Sequence, residues 1–226
     1  MYTLEEHLTN LSTFNVPKEM KYLPEFMAPT LKYFEKLKRQ GVEPKVIYDV
    51  GSCVLHWTNV AKRVWPDATY ILFDAFEPAE FLYKDYDYHI GVLSDKEKVV
   101  DWWQNDMWPG GNSYYREVGR TDVFHDNMSS KKMTRTLDSV VKERGFPPPD
   151  LLKIDVQGSE IDVLMGATET LKSVQHLLIE LQHTEYNKGA PQVQQSLPFI
   201  ESLGFKCVTP MFAYNGPDAD YHFSRR

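Results

Sequence analysis

Three acids stand where short apolar runs end. Asp49 lies in Val46-Ile47-Tyr48-Asp49-Val50-Gly51-Ser52, Asp74 follows Tyr70-Ile71-Leu72-Phe73, and Asp155 closes Leu151-Leu152-Lys153-Ile154-Asp155. Apolar runs of this length, bounded by turn residues, read as buried strands. A carboxylate at the carboxyl end of such a strand faces the crevice where open α/β sheets bind ligands. Asp74 comes 25 residues after Asp49, and its two oxygens can accept hydrogen bonds from both hydroxyls of a ribose. Glu77 stands just beyond it and could serve instead. Lysine in a buried strand is costly unless paired. Strand alternation puts Lys153 on the face of Asp155. That pair either braces the fold or holds Asp155 ionised for proton transfer.

A further apolar run, His176 to Leu181, carries Glu180 and leads into Gln182, His183 and Glu185. It delivers polar groups to the same rim. Asp155 and His183 are the first candidates for a general base, with Glu180 next and Lys153 as the group that charges Asp155 or binds a substrate oxygen. Asp155, Glu180, Gln182 and His183 also offer ligands that a hard divalent cation would accept. Ser94 and Asp95 follow the run Tyr88 to Leu93 and either bond the amino edge of an adenine or close a turn. The Pro109-Gly110-Gly111-Asn112 turn leads into Ser113, Tyr114 and Tyr115. These tyrosines either pack on a sugar face or serve as ordinary strand residues. Asn112, Ser113, Tyr114, Gln182 and Glu185 are the candidate substrate contacts.

The elements that must position these groups alternate between strand and helix. Gly51 supplies a tight turn, and Val54, Trp57, Val60, Ala61 and Val64 repeat at helix spacing. Thr3 and Glu6 form a capping box before Leu4, Leu8 and Leu11. A link through Pro17 and Pro24 leads to a helix from about Pro29, closed by Gly41. These two helices cover a sheet edge or lid the pocket. Val99 to Trp103 reads as a strand of an inserted hairpin, and Lys131 to Leu137 returns towards the domain. A helix from Leu137 ends at Gly145. Another, over Val193 to Leu203, contains Pro198, which should kink it or move its start. Phe205 to Thr209 and Tyr221 to Ser224 close the sheet around an Asn215-Gly216-Pro217 turn. The expected organisation is an N-terminal helical cover over residues 1–45 and an α/β domain over 46–226, with the hairpin insertion near 99–135.

Hydrophobic residues make up 42% of the 226-residue chain, enough for a globular core rather than a disordered chain. The net charge of −7 argues against a duplex nucleic-acid partner. Cys53 and Cys207 are far apart and read as reduced thiols. No apolar run approaches the roughly 20 residues needed to cross a bilayer. Glu5 and Glu6 follow Met1 too closely for a signal peptide, so the expected compartment is the cytoplasm.

The motifs resemble the FkbM family of S-adenosylmethionine-dependent methyltransferases. The similarity is carried by Asp49-Val50-Gly51, the acid near Ala75-Phe76-Glu77-Pro78, Leu93-Ser94-Asp95, Thr136-Leu137-Asp138-Ser139, and above all Leu152-Lys153-Ile154-Asp155-Val156-Gln157-Gly158-Ser159-Glu160. The resemblance implies a class I methyltransferase, Rossmann-like α/β sheet of about seven strands, the last antiparallel, with helices on both faces. It implies O-methylation of a sugar or glycan hydroxyl. Asp49, Gly51 and Ser52 would then line the methionine end of S-adenosyl-L-methionine, Asp74 or Glu77 the ribose, and Ser94 with Asp95 the adenine. Domains of this kind occur in larger glycan-modifying enzymes, including those of large viruses, where the site of action would be the host cytoplasm. One position departs from the family. Leu55 stands where the first motif has glycine, and is expected to narrow the pocket near the methionine. Leu55 therefore keeps open a catalytically inactive glycan- or nucleotide-binding module. An NAD-dependent oxidoreductase shares the ribose acid but would need the missing Gly-x-Gly-x-x-Gly.

Overall fold

The computed structural model describes residues 3–13, 27–118, 123–214 and 216–226. The expected link through Pro17 and Pro24, and Asn215 of the last turn, lie outside them. In chain order the strands are β1 (Val46–Val50), β2 (Thr69–Asp74), β3 (Asp87–Ile90), β4 (Val92–Leu93), β5 (Val99–Trp103), β6 (Ser129–Arg135), β7 (Leu151–Ile154), β8 (His176–Gln182), β9 (Phe205–Tyr214) and β10 (Asp218–Arg225). Seven of them form one sheet in the order β3-β2-β1-β7-β8-β10-β9. Strand β10 runs antiparallel to both its neighbours, while β1, β2, β3, β7 and β8 pair in parallel. The chain steps outward from β1 to β3, then crosses to β7 and steps the other way. The switch point therefore lies between β1 and β7, where such sheets open a crevice.

The helices are α1 (Leu4–Ser12), α2 (Ala28–Arg39), α3 (His56–Val64), α4 (Leu137–Arg144), α5 (Glu160–Met165) and α6 (Val193–Ser202). Strand alternation sorts the core into two layers. On one face Tyr48, Val50, Ile71, Phe73, Leu152, Ile154 and Ile179 pack under Leu137, Val140, Val163, Leu164 and Ile200. On the other Ile47, Leu72, Leu151 and Leu178 pack under Phe34, Leu37, Val60 and Val64. Helix α1 begins in the capping box read from the sequence: Thr3 Oγ1 accepts from Glu6 N–H at 3.1 Å, and Glu6 accepts from Thr3 N–H at 2.7 Å.

One strand differs from the sequence reading. Tyr88 to Leu93 is not one strand. It breaks at Gly91, whose N–H donates to Asp74 O at 2.7 Å. The chain then leaves the main sheet, and β4 joins a second sheet in the order β4-β6-β5. Helix α6 starts at Val193, so Pro198, which sits inside it, does not move its start.

Candidate functional site

Register places the charged groups. Asp49 pairs with Lys153 across β1 and β7, Lys153 with Leu178 across β7 and β8, and Glu180 with Asp220 across β8 and β10. Asp49 also pairs with Leu72, two residues before Asp74. Counting by twos from these pairs puts Asp74, Asp49, Lys153, Asp155, Glu180 and Asp220 on one face of the sheet. It is the face covered by α2 and α3. Gly51, Ser52, Cys53, Asp74, Ala75, Gly91 to Leu93, Trp102, Asn112, Lys153, Asp155, Gln157, Glu180 and Asp220 line one cavity there.

Asp49 stands behind that wall rather than on it. It is fully buried, with Lys153 Nζ 3.0 Å from Oδ1, and Thr58 Oγ1 donates to Oδ2. The structure thus does not place Asp49 at the methionine end, because its carboxylate is 0% exposed and off the cavity wall. Lys153 Nζ also donates to Gly51 O at 2.7 Å and lies 3.6 Å from Asp155 Oδ2. Burial alone would lower the Lys153 pKa. The carboxylates of Asp49 and Asp155 outweigh it and hold the ammonium above its ordinary range. Gly51 has φ 83°. A Cβ there would fall 1.7 Å from the carbonyl oxygen of Asp155, so the turn after β1 and the exit of β7 can meet only through a glycine.

The acid at the end of β2 holds the next turn. Asp74 Oδ2 accepts from Cys53 N–H at 2.7 Å and Oδ1 from Phe76 N–H at 2.8 Å. Burial raises the Asp74 pKa, and these two donors and Lys153 oppose the rise. The turn bends through left-handed backbone at Cys53 (φ 45°) and Leu55 (φ 68°). Such backbone costs a side-chain-bearing residue about 1–2 kcal/mol. Leu55 thus keeps the conformation a glycine would adopt. Its side chain is buried with Trp57 and Val60 rather than lining the cavity. The expected narrowing of the pocket does not occur, and Leu55 no longer favours an inactive module.

Sequence reasoning missed Gln157. Its backbone is left-handed at φ 54°. Its Nε2 donates to Asp155 Oδ1 at 2.9 Å and to Glu180 Oε2 at 2.8 Å. One amide thereby yokes the two carboxyl groups across the strand ends. Glu160, in the same motif, accepts from Val156 N–H at 3.0 Å and Gly158 N–H at 3.1 Å, clamping the turn beneath Gln157. Burial pushes the Glu160 carboxyl up to about 7 against those donors. Burial, then the charges of Asp155, Asp218 and Asp220, hold Glu180 well above the usual carboxylate range. Burial and Asp155 push Asp220 up to about 7.

Several expected site residues stand elsewhere. Glu77 is exposed, bridged to Lys132 at 2.8 Å, and does not line the cavity. Ser94 and Asp95 lie past the break at Gly91, so Gly91 to Leu93 line the cavity in their place. Ser94 Oγ donates to Asp95 at 3.0 Å and meets Tyr114 Oη at 3.0 Å. Lys98 bonds Asp95 at 2.7 Å, and that contact, ahead of Ser94, lowers the Asp95 pKa. Tyr114 donates to Asp162 at 2.7 Å and presents no face to the cavity wall. Ser113 is buried beside Asn112 and accepts from Tyr115 N–H at 3.0 Å. Gln182, His183 and Glu185 are likewise off the wall. Strand β8 runs on through Gln182, which pairs with Asp218 of β10. Gln182 then bonds Asn187 at 2.6 Å, His183 Nε2 meets Tyr221 Oη at 3.0 Å, and exposed Glu185 accepts from Gly189 N–H at 3.0 Å. Of the cation ligands proposed from sequence, Asp155 and Glu180 thus meet on the wall, while Gln182 and His183 stand away from it. Among the described residues no group of three or more His, Cys, Asp or Glu side chains is placed to hold a metal ion. Among the same residues no helix is long and apolar enough to cross a membrane.

The family model of the methyltransferase FkbM domain matches residues 49–207. The hexuronic acid methyltransferase AglP of Haloferax volcanii is 39% identical over 44 residues, 20% of this chain and 18% of that protein. The 2-O-methyltransferase NoeI of Sinorhizobium fredii is 34% identical over 70 residues, 31% of this chain and 29% of that protein. The matched stretches thus span under a third of either relative. Among solved structures, the O-methyltransferase TomG of Streptomyces achromogenes, in complex with SAM, superposes with a TM-score of 0.50 at 13% identity, covering 100% of this chain and 90% of that one. At that identity the likeness is one of fold.

Proposed function

The chain belongs to the FkbM methyltransferase family, and from that premise we propose that it moves a methyl group from S-adenosyl-L-methionine to a hydroxyl of a sugar or glycan. The cofactor, when bound, supplies a methyl group already activated by a sulfonium. The residues present fit it. Asp74 carries a carboxylate on the cavity wall, anchored by two backbone N–H groups, for the ribose hydroxyls. The Gly51 to Cys53 turn would hold the amino-acid end, and Gly91 to Leu93 the adenine. The acceptor is read from the two relatives, whose names specify a hexuronic acid and a 2-O position.

The single observation behind the reading is the yoke of Asp155, Gln157 and Glu180 on the cavity wall. A sugar hydroxyl is a very weak acid. Asp155 is the general base in this reading. Its carboxylate is oriented by Gln157 on Oδ1 and balanced by Lys153 near Oδ2. It takes the hydroxyl proton as the oxygen becomes bonded to carbon, a contribution of roughly 10²–10⁴-fold. Holding the acceptor beside the donor contributes more, ~7–11 kcal/mol. His183 has no part in this reading, since it lies off the wall. The test has two arms. Titration calorimetry with S-adenosylhomocysteine and with NAD should show binding of the first alone. Labelled donor with a panel of monosaccharide glycosides should label at least one of them. Tight NAD binding without S-adenosylhomocysteine binding would overturn the reading.

A further inference from the structure

The cavity has a polar side and a largely apolar one. The strand ends bring Asp74, Asp155, Gln157 and Glu180 to it, and the helices above bring Met27, Thr30 and Trp57. The cofactor reading uses the Gly51 to Cys53 turn, Asp74 and Gly91 to Leu93. The helix side has no part in it. Sequence alone leaves α2 as a sheet cover or a pocket lid, whereas its start is a piece of the pocket wall.

Contacts along the two helices fix where that wall stands. Tyr33 Oη of α2 meets His222 Nδ1 of β10 at 2.7 Å. His222 pairs with Leu178 and Asp220 with Glu180, one step along the strands on the same face. Thr30 lies one turn ahead of Tyr33 and Phe34, and Met27 caps the helix. The start of α2 therefore shares the cavity end that holds Glu180 and Asp220. Helix α3 runs beside it, with Lys38 Nζ donating to Val64 O at 2.6 Å near the far ends of both. Trp57 sits in the first turn of α3. Phe34 meets it edge to face, with ring centroids 5.2 Å apart at 70°, an arrangement that holds an aromatic ring in place. Met27 and Trp57 belong to one apolar cluster with Phe34 and Leu55.

We propose that Met27 and Trp57 form the apolar side of the acceptor subsite: a pyranose lays its C–H face on them and turns a hydroxyl edge to Asp155 and Gln157. This rests on the sugar O-methyltransferase reading and deepens it, because it says which face of the ring the protein holds. A pyranose is two-sided in the same sense as the cavity. Its hydroxyls need hydrogen-bond partners, while its clustered C–H groups gain from leaving water for an apolar or aromatic surface. Ligand sites commonly combine an apolar lining with a few placed polar groups. An acceptor held flat between the two sides presents its hydroxyl to the yoke without any charged contact.

The experiment measures sugar and cofactor binding separately, so that it does not depend on turnover. Methyl galactoside, methyl glucoside and open-chain sorbitol are titrated into the protein and followed by saturation-transfer NMR, and S-adenosylhomocysteine by calorimetry. At least one glycoside should bind, and sorbitol, which has hydroxyls but no ring face, should bind at least roughly tenfold more weakly. Trp57→Ala should weaken the glycoside roughly tenfold, and Trp57→Phe should restore most of that loss. Met27→Gln, on the other helix, should weaken it severalfold. Affinity for S-adenosylhomocysteine should stay near the wild-type value in all three variants, which a general loss of structure would not allow. If Trp57→Ala does not fold, Met27→Gln and Trp57→Phe decide. Sorbitol binding as tightly as the glycosides, no binding of either glycoside, or sugar affinity unmoved by the variants would each overturn the proposal. So would a loss of S-adenosylhomocysteine affinity equal to the loss for sugar, which would put these residues at the methionine end. If sugar binding depends on Met27 and Trp57 but labelled donor methylates no glycoside, the methyl-transfer reading falls while the subsite stands.

Discussion

Two polar networks in this molecule are built from similar parts and do different things. At the switch point, Asp49, Lys153, Asp155, Gln157 and Glu180 link across three strand ends. Beside the smaller sheet, Asp162 joins Tyr114 and Tyr115, Tyr114 reaches Ser94, and Lys98 spans Asp95 and Asp162. Both hold acids, a lysine and neutral donors. The second closes on itself, each group meeting another member. The first opens onto a cavity and keeps raised carboxyl groups in reserve at Glu180 and Asp220. Residue type does not distinguish a site from a brace. What distinguishes them is that one lines a cavity and the other does not.

The contrast breaks first at Asp155. Asp155→Asn keeps the shape and removes the base, so methyl transfer should fall by roughly 10²–10⁴-fold. Affinity for S-adenosylhomocysteine, followed by calorimetry, should stay near the wild-type value. A variant that retains most of its turnover would move the proton to another acceptor. Next comes Lys153, the one group shared by the brace and the wall. Lys153→Met leaves Asp49 buried and without its cation. Loss of one partner of a buried pair costs about 3–5 kcal/mol, and urea unfolding should show a loss of that order. A change below about 1 kcal/mol, the scale of an exposed pair, would mean that Asp49 is held chiefly by Thr58.

Much of the open network is legible in the sequence, and its partners are not. Buried strands alternate and end in turns, so Asp74 and Asp155 can be placed at a shared rim, and Lys153 beside Asp155, from spacing alone. Asp49 follows the same rule but is withdrawn from the cavity by Thr58, nine residues on, and by the lysine of a neighbouring strand. Gln157 escaped because its left-handed backbone carries no sequence mark in a residue other than glycine. Ser94 and Asp95 were misplaced because one glycine lets the chain leave the sheet, and the β2 pairing beside it does not announce that departure. Gln182 and His183 were misplaced because their cover is β10, an antiparallel strand some way along the chain. For Asp49 and Gln182 a deciding partner, Lys153 or β10, is distant in sequence.

The closed network should yield a stability effect without a catalytic one. Tyr114→Phe removes a hydroxyl that meets both Ser94 and Asp162. Loss of such bonds costs about 1–3 kcal/mol, and unfolding should register it while turnover under saturating donor stays unchanged. A fall in turnover with no loss of stability would join this network to the site.

The smallest effect is expected from pH and tests the reserve itself. Burial and the charge of Asp155 push Asp220 up to about 7 from an ordinary value near 3.8. Below the ordinary value both folded and unfolded chains hold the proton, and the group contributes nothing. Between the two values the folded chain binds more protons than the unfolded one, so stability falls as pH rises through the window. Above about 7 the full cost is present. Asp220→Asn removes an acid that is unfavourable only when ionised. It should leave the melting temperature unchanged at pH 4 and raise it at pH 8, by a stabilisation on the order of 1 kcal/mol. Equal melting curves at both pH values would show that the wall carries its charge without strain, and the distinction between an open and a closed network would then rest on the cavity lining alone.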